Sequence, residues 1–332
     1  MNDAVPPATL DPELAALGAH LKARGLAALS LTRAAVADCR AMNARIAAVL
    51  NENSKPLMRE RDIAVPREDG SGGAVACRLY LPDGVANPPL MIYAHGGSFA
   101  LGTLDAWNAM LRELVRASGV AVLSVDYRLS PEHRFPAAFD DMLAAVRHAA
   151  REGQSLGIDA TRLAVGGDSA GGNLALAAAL AMRDASRNSG AAGFSPLKFM
   201  LLIYGVYSTD NTTPAWATLG TGNYGLSAAQ MDWIWAHYLQ APDQRGDWRV
   251  APLTASMAGM PPAHLIIGNL DPLIDDSRAL AQKLAAANVP HSLTVYDGLT
   301  HGFIRSSPHV GVVRRALADC AAALSRALAA PR

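Results

Sequence analysis

Apolar positions along the chain change their period. Over the first fifty residues they recur at helical spacing. Asp11-Pro12-Glu13 reads as an N-cap with proline at the first helical position, and an Ala/Leu-rich amphipathic stretch runs from about residue 32 to 50. Beyond it, short β-branched or apolar runs appear at 62–65, 75–81, 90–94, 120–126, 162–165, 199–206, 264–268 and 292–296. From the third run onward most are separated by segments of helical periodicity, at 106–117, 136–151, 171–183 and 275–287. Strands alternating with helices predict a mainly parallel α/β sheet covered on both faces, and the first two runs, which lack a helix between them, predict an antiparallel edge.

One insertion interrupts the alternation. More than fifty residues separate the sixth strand from the seventh, and within them Ser227-Ala228-Ala229-Gln230 is a capping box opening a helix with Met231, Trp235 and Tyr238 on one face. Four of the five tryptophans, Trp216, Trp233, Trp235 and Trp248, fall here. They are expected either to form the insertion's own small core or to make a lid with an aromatic underside.

Composition narrows the classes of function. Lys+Arg and Asp+Glu both number 29 and charged residues are 17% of the chain, which argues against an electrostatic binder of nucleic acid. The 51% hydrophobic content supplies a large core, yet the longest apolar stretches, 174–182 and 199–206, are short of the roughly 18 residues of a membrane span. Three cysteines, Cys39, Cys77 and Cys320, fit neither a disulfide framework nor a zinc site. The start, Met1-Asn2-Asp3-Ala4 running into Pro6-Pro7, lacks the basic and apolar regions of a secretory signal, so a cytoplasmic protein is expected.

The segment richest in chemistry is 162–173, where a strand runs through Gly167-Asp168-Ser169-Ala170-Gly171 directly into an Ala/Leu helix. This fits G-x-S-x-G in the context that gives the pattern meaning: a strained strand-to-helix turn that exposes the serine hydroxyl at a helix N-terminus. The alternative reading is a packing turn. A serine hydroxyl needs a base to take its proton and a third group to orient that base. On a sheet of this kind the acid and then the histidine follow the serine, at the ends of later parallel strands. His301, in Asp297-Gly-Leu-Thr-His-Gly-Phe303, lies just after the last strand, whereas His291 precedes it and His309 is expected to begin the final helix. Asp271, directly after the seventh strand and stiffened by Pro272, is the expected acid. Asp275 and Asp276 read as the N-cap and first turn of the next helix, and Asp297 as a turn residue with Gly298.

A third element is His95-Gly96-Gly97-Ser98-Phe99, after the third strand. Backbone N–H groups aimed at a developing oxyanion each contribute roughly 3–4 kcal/mol. Gly97 and Ala170, the residue after the nucleophile, are the expected donors; either Gly96 or Ser98 would give another. His95 and the stretch 126–132 read as scaffold.

Together these segments resemble the bacterial hormone-sensitive-lipase-like carboxylesterases of the α/β-hydrolase superfamily. Four stretches carry the likeness: 95–99; Asp126-Tyr-Arg-Leu-Ser-Pro-Glu-His133 with Phe135-Pro-Ala-Ala138; Gly167-Asp-Ser-Ala-Gly-Gly-Asn173; and Asp271-Pro-Leu273 with His301-Gly-Phe303. The resemblance implies an α/β-hydrolase fold with an eight-stranded sheet and a helical cap. On that division, residues 1–55 contribute helices to the cap, 56–207 and 251–332 form the two parts of the catalytic core, and 208–250 are the cap insertion. It implies hydrolysis of short- to medium-chain carboxylic esters with no cofactor and no metal. The chain departs from the family at Ser98, where a third glycine is usual.

A pocket lined by Phe99, Trp107, Leu273 and Phe303, with Trp235 and Tyr238 above it, is expected to take a small-molecule ester. Amidase or acyltransferase chemistry would use the same residues, and a receptor of small molecules could occupy the same fold. Nucleotide-binding readings are weaker, since the glycine patterns they need, G-x-G-x-x-G at the first strand and G-x-x-x-x-G-K-[ST], are missing. For a homodimer, the eighth strand and the final helix are the places where two copies would meet.

Overall fold

The computed structural model describes residues 9–188 and 196–330. The N-terminal reading at residues 1–7 lies outside the described residues. The chain runs through α1 (Pro12–Ala23), α2 (Val36–Leu50), β1 (Arg59–Pro66), β2 (Ala74–Leu81), β3 (Leu90–Ala94), α3 (Asn108–Ser118), β4 (Ala121–Asp126), α4 (Ala137–Arg151), the single turn α5 (Gly153–Leu156), β5 (Leu163–Asp168), α6 (Ala170–Asn188) and β6 (Leu197–Ile203). The insertion follows, with α7 (Pro214–Leu219) and α8 (Ala228–Tyr238), and then β7 (Ala263–Leu270), α9 (Ile274–Ala286), β8 (His291–Thr300) and α10 (Gly311–Ala327).

The eight strands form one sheet in the order β1-β2-β4-β3-β5-β6-β7-β8. β1, β2 and β4 pair antiparallel and every pairing from β4 through β3 to β8 is parallel. Right-handed crossovers then divide the helices. The connection through α3 moves toward the β1 edge and those through α4, α6 and α9 move toward β8, so α3 lies on one face and the other three on the opposite face. α10 packs on α3 and joins its face, while α4 packs on α6. Strands β3, β4 and β5 are buried almost throughout, as a sheet covered on both faces requires.

Of the predicted caps those at Asp11 and Ser227 are present, whereas Asp275 lies inside the first turn of α9, which Leu273 precedes. Asp11 accepts from the N–H groups of Glu13 and Leu14 with Pro12 at the first position, and Ser227 Oγ accepts from Gln230 N–H at the start of α8. The elements differ from the periodicity mainly at their ends. β8 runs four residues past the apolar pattern, to Thr300, because Asn269 accepts from Gly298 N–H and donates to Asp297, holding the glycine within the strand. α10 begins at Gly311 rather than at His309, whose ring nitrogen instead meets the Leu50 carbonyl.

All the parallel strands end on one side of the sheet, and there the loops meet α2 and the insertion. α2 is tied down by Arg40, which donates to the Ala100 and Ser130 carbonyls and pairs with Glu132. Asn173 of α6 donates to both Val206 and Val250, so one amide holds both stems of the insertion. Among the described residues no helix is long and apolar enough to cross a membrane.

Candidate active site

β5 carries the chain straight into α6, and the one residue between them, Ser169, has φ +54°. A non-glycine residue is costly there, by roughly 1–2 kcal/mol, and it is held by its surroundings. Its N–H donates to the Ile203 carbonyl and its own carbonyl accepts from Asn173 N–H. The turn closes because a side chain is missing on either side of it. A Cβ on Gly171 would collide with the Ala94 carbonyl, and one on Gly167 with the backbone of Gly171.

Ser169 Oγ lies 2.9 Å from His301 Nε2, and His301 Nδ1 lies 2.8 Å from Asp271 Oδ2. A carboxylate can only accept, so Nδ1 carries a proton and Nε2 is free to accept one from the serine. Asp271 is wholly buried in the turn between β7 and α9, where its Oδ1 accepts from Leu273 N–H. A register shift between Gly268 and Leu270 in the β7–β8 pairing lets the strand end turn inward. Burial pushes the His301 imidazole down, but the charge and hydrogen bond of Asp271, with a further contribution from Asp168, outweigh it and the net shift is upward. The insertion reaches this residue directly: His301 N–H donates to the Tyr224 carbonyl, and Gly225 sits against the His301 backbone. His291 sits at the opposite end of β8, against the Val289 carbonyl, and Asp297 pairs with Asn269 rather than with His301.

The loop after β3 departs from expectation at one donor. Gly96 N–H is already used, donating to Asp168 Oδ1 at 2.8 Å, so it does not point at the space beside Ser169. Gly97 at φ +124°, with Ser98 and Phe99 at +59° and +55°, curls the loop tightly. The N–H groups of Gly97, Ser98 and Ala170 have no acceptor among the described residues. Ala170 opens α6, where the helix dipole favours negative charge. His95 is buried between the rings of Trp107 and Tyr127, at 4.9 and 4.5 Å. Burial, opposed by its bond to Gly96 O, lowers it to about 4, so the ring stays neutral and its Nδ1–H donates to that carbonyl.

Above Ser169 lies a narrow cleft, lined by Ser98, Phe99, Ala170, Val206 and Leu273 from the core and by Leu226, Met231 and Ile234 from the insertion. Phe99 and Leu273 therefore stand where the sequence placed them. Trp107, Phe303, Trp235 and Tyr238 do not line it. Trp107 stacks on His95 beneath the Arg305 guanidinium, and Phe303 packs behind Tyr204. Tyr238 stacks on Phe99 at 4.0 Å, with Trp235 beside it, so both anchor α8 to the loop after β3. Aromatic rings this large are drawn into the seam between the insertion and the core, where they bury most area, and leave an aliphatic roof. Trp216 is buried in α7, Trp248 meets Phe139 edge-on, and Trp233 stacks on His237. The lining of this cavity includes no residue of α1 or α2.

Three residues not singled out from the sequence lie beneath the site. Asp168 is buried, accepting from Tyr93 O–H at 2.7 Å as well as from Gly96 N–H. Tyr204, at φ +35°, has its hydroxyl 3.4 Å from Asp168 Oδ2 and its ring edge-on to His301 at 5.1 Å. No periodicity marks such groups, since their partners come from distant strands. A second, wide depression lined by Arg40, Arg128 and Glu132 lies apart from Ser169, and its charges are neutralised by the pairs Arg40–Glu132 and Arg128–Asp141. Among the described residues no group of three His, Cys, Asp or Glu could hold a metal ion.

Comparison with known proteins bears on the fold and the family. Residues 91–305 match the family described as alpha/beta hydrolase fold. The chain is 37% identical over 248 residues to an ethyl acetate hydrolase of Pseudomonas putida, covering 74% of this chain and 75% of that one. It is also 37% identical over 249 residues to the carboxylic ester hydrolase LipN of Mycobacterium tuberculosis, covering 73% of this chain and 64% of LipN. A hyperthermophilic esterase from the archaeon Pyrobaculum calidifontis superimposes with a TM-score of 0.87 at 31% identity, covering 96% of this chain and 98% of that one. A strand-to-helix elbow bearing a serine, within likenesses that span most of the sequence, places the chain in the α/β-hydrolase fold family, among its hormone-sensitive-lipase-like carboxylic ester hydrolases.

Proposed function

We propose that the chain cleaves short-chain carboxylic esters through an acyl-enzyme on Ser169. The observation that carries this reading is the continuous relay Ser169 Oγ to His301 Nε2 and His301 Nδ1 to Asp271, at 2.9 and 2.8 Å. His301 takes the hydroxyl proton as Oγ bonds to the ester carbonyl carbon, and the carbonyl oxygen becomes an oxyanion. That oxyanion is met by the N–H groups of Ala170, Gly97 and Ser98. The bond to the alkoxy oxygen then breaks, the alcohol leaving with the proton from His301. Water, deprotonated by the same imidazole, attacks the acyl carbon and returns Ser169 with release of the acid. Asp271 holds the ring and favours the imidazolium formed in each half-reaction.

The cavity supports a small acyl group. It is a narrow cleft, and its roof of Leu226, Met231 and Ile234 offers no polar side chain to a substrate. Ester substrates are supported by the ester hydrolases among the relatives, and ethyl acetate is the substrate named for the Pseudomonas one. A reducing compartment is part of the same proposal, because Cys39, Cys77 and Cys320 are all buried free thiols. A series of p-nitrophenyl esters with one anilide tests it. The highest kcat/KM is expected among the shortest acyl chains; preference for chains beyond about ten carbons, or faster cleavage of the anilide, would defeat the reading.

A further inference from the structure

We propose that Asp168 is a positioning residue: its one carboxylate fastens the loop that receives the oxyanion and, through Tyr204, the loop that carries His301, to the nucleophile elbow. The inference rests on the acyl-enzyme reading above and adds a residue to it.

Oδ1 of Asp168 accepts from Gly96 N–H at 2.8 Å and from Tyr93 O–H at 2.7 Å. Oδ2 faces the Tyr204 hydroxyl at 3.4 Å, and that hydroxyl accepts from Ile304 N–H at 3.3 Å. A single side chain, next in sequence to Ser169, thus joins segments near residues 96 and 304, which are otherwise far apart along the chain. The approach to the first loop is tight: a Cβ on Gly96 would collide with the Asp168 carboxylate. The next three residues, Gly97, Ser98 and Phe99, all have positive φ, a curl that needs an external tether to hold its N–H groups in place.

The chemistry of Asp168 also argues against a packing role alone. A carboxylate in a fully buried position is costly, and an apolar or amide side chain would fill the space at less cost. Burial pushes its carboxyl upward and outweighs the bonds from Tyr93 and Gly96 and the charges of Arg305 and His301, which act the other way. His301 is faced by Asp271 from the turn after β7, by Asp168 and Ser169 from the end of β5, and by Tyr204 from the end of β6. The insertion brings only the Tyr224 carbonyl and Gly225 to it. Loss of the Asp168 charge therefore removes one of the two carboxylates that favour imidazolium.

Asp168→Ala, Asp168→Asn and Ser169→Ala are assayed together with p-nitrophenyl butyrate between pH 5 and 9. Asp168→Ala is expected to lose about 100-fold in kcat with KM within about threefold, the signature of an interaction made in the transition state. Asp168→Asn keeps an acceptor for Gly96 N–H, so it should recover at least about tenfold of that loss, with the acid limb of kcat/KM moved to lower pH. Wild-type kcat in folded Asp168→Ala, or equal losses in both variants with the acid limb unmoved, would overturn the proposal. Should the alanine variant fail to fold, Tyr204→Phe, which cuts the tie to the His301 loop, is expected to lose about tenfold in kcat, and wild-type kcat in it overturns the proposal. An inactive Ser169→Ala beside an unaffected Asp168→Ala defeats only this inference, whereas an active Ser169→Ala defeats the acyl-enzyme reading and this inference with it.

Discussion

Asp276 gives a stability prediction whose sign and size both come from its surroundings. It is buried in the first turn of α9, where Oδ2 accepts from Tyr207 N–H at 2.7 Å and Ser208 N–H at 2.8 Å, pinning the stem from which the insertion departs. Burial raises its carboxyl to about 7; the two N–H bonds oppose this, and the charges of Asp271 and Asp210 add to it. The folded state therefore keeps a proton that the unfolded chain has released, and this favours folding fully below the unfolded value. The advantage is lost as pH rises through the folded value. Titration at about 7 when folded against 3.8 when unfolded makes a difference on the order of 4 kcal/mol across that window. Asp276→Asn keeps an acceptor for Tyr207 and Ser208 without the titration. In urea unfolding between pH 4 and 8, the stability of wild type minus variant should fall by that amount as pH rises, and stay level above about 8. A difference that is constant with pH would refute the reasoning, since Asp276 would then be ionised in both states.

Two other outcomes follow from the site. Ser98→Gly relieves a residue held at φ +59°, and after the unfolded-state entropy of glycine is counted it should stabilise the protein by about 1 kcal/mol in thermal or urea unfolding; equal or lower stability would mean the strain is not stored there. Leu226→Ala removes part of the cavity roof and should raise the octanoate-to-acetate ratio of kcat/KM by about fivefold or more, measured with the p-nitrophenyl esters; an unchanged ratio would place the acyl group elsewhere.

Most of the fold was legible because the apolar runs and the helical segments alternate cleanly. Every predicted strand exists, and the antiparallel edge lies where two runs lacked a helix between them. The elbow was legible for a local reason: glycines two residues either side of a serine, between a strand and a helix, report a close approach of backbones that the structure contains. Asp271 and His301 could be selected by chain order and by their places just after strands. What could not be read were contacts across the sheet. That Asp168 occupies Gly96 N–H depends on β3 and β5 being neighbours in register, Ala94 beside Gly167, which no local pattern states. The tryptophans fall in the insertion, but which of them would meet the cleft is not legible, because a ring's burial depends on which seam is deepest. Trp235 went to Phe99 while Leu226, Met231 and Ile234 roofed the cavity.

The central claim is that Ser169 is the nucleophile, activated by His301 at 2.9 Å. It is tested most directly by titrating the folded protein with a fluorophosphonate ester and locating the adduct by peptide mass spectrometry. The account predicts one phosphonate per chain, on Ser169, with esterase activity lost in proportion and no labelling of Ser169→Ala. An adduct on another residue, or a Ser169→Ala variant that hydrolyses p-nitrophenyl butyrate at the wild-type rate, would contradict it.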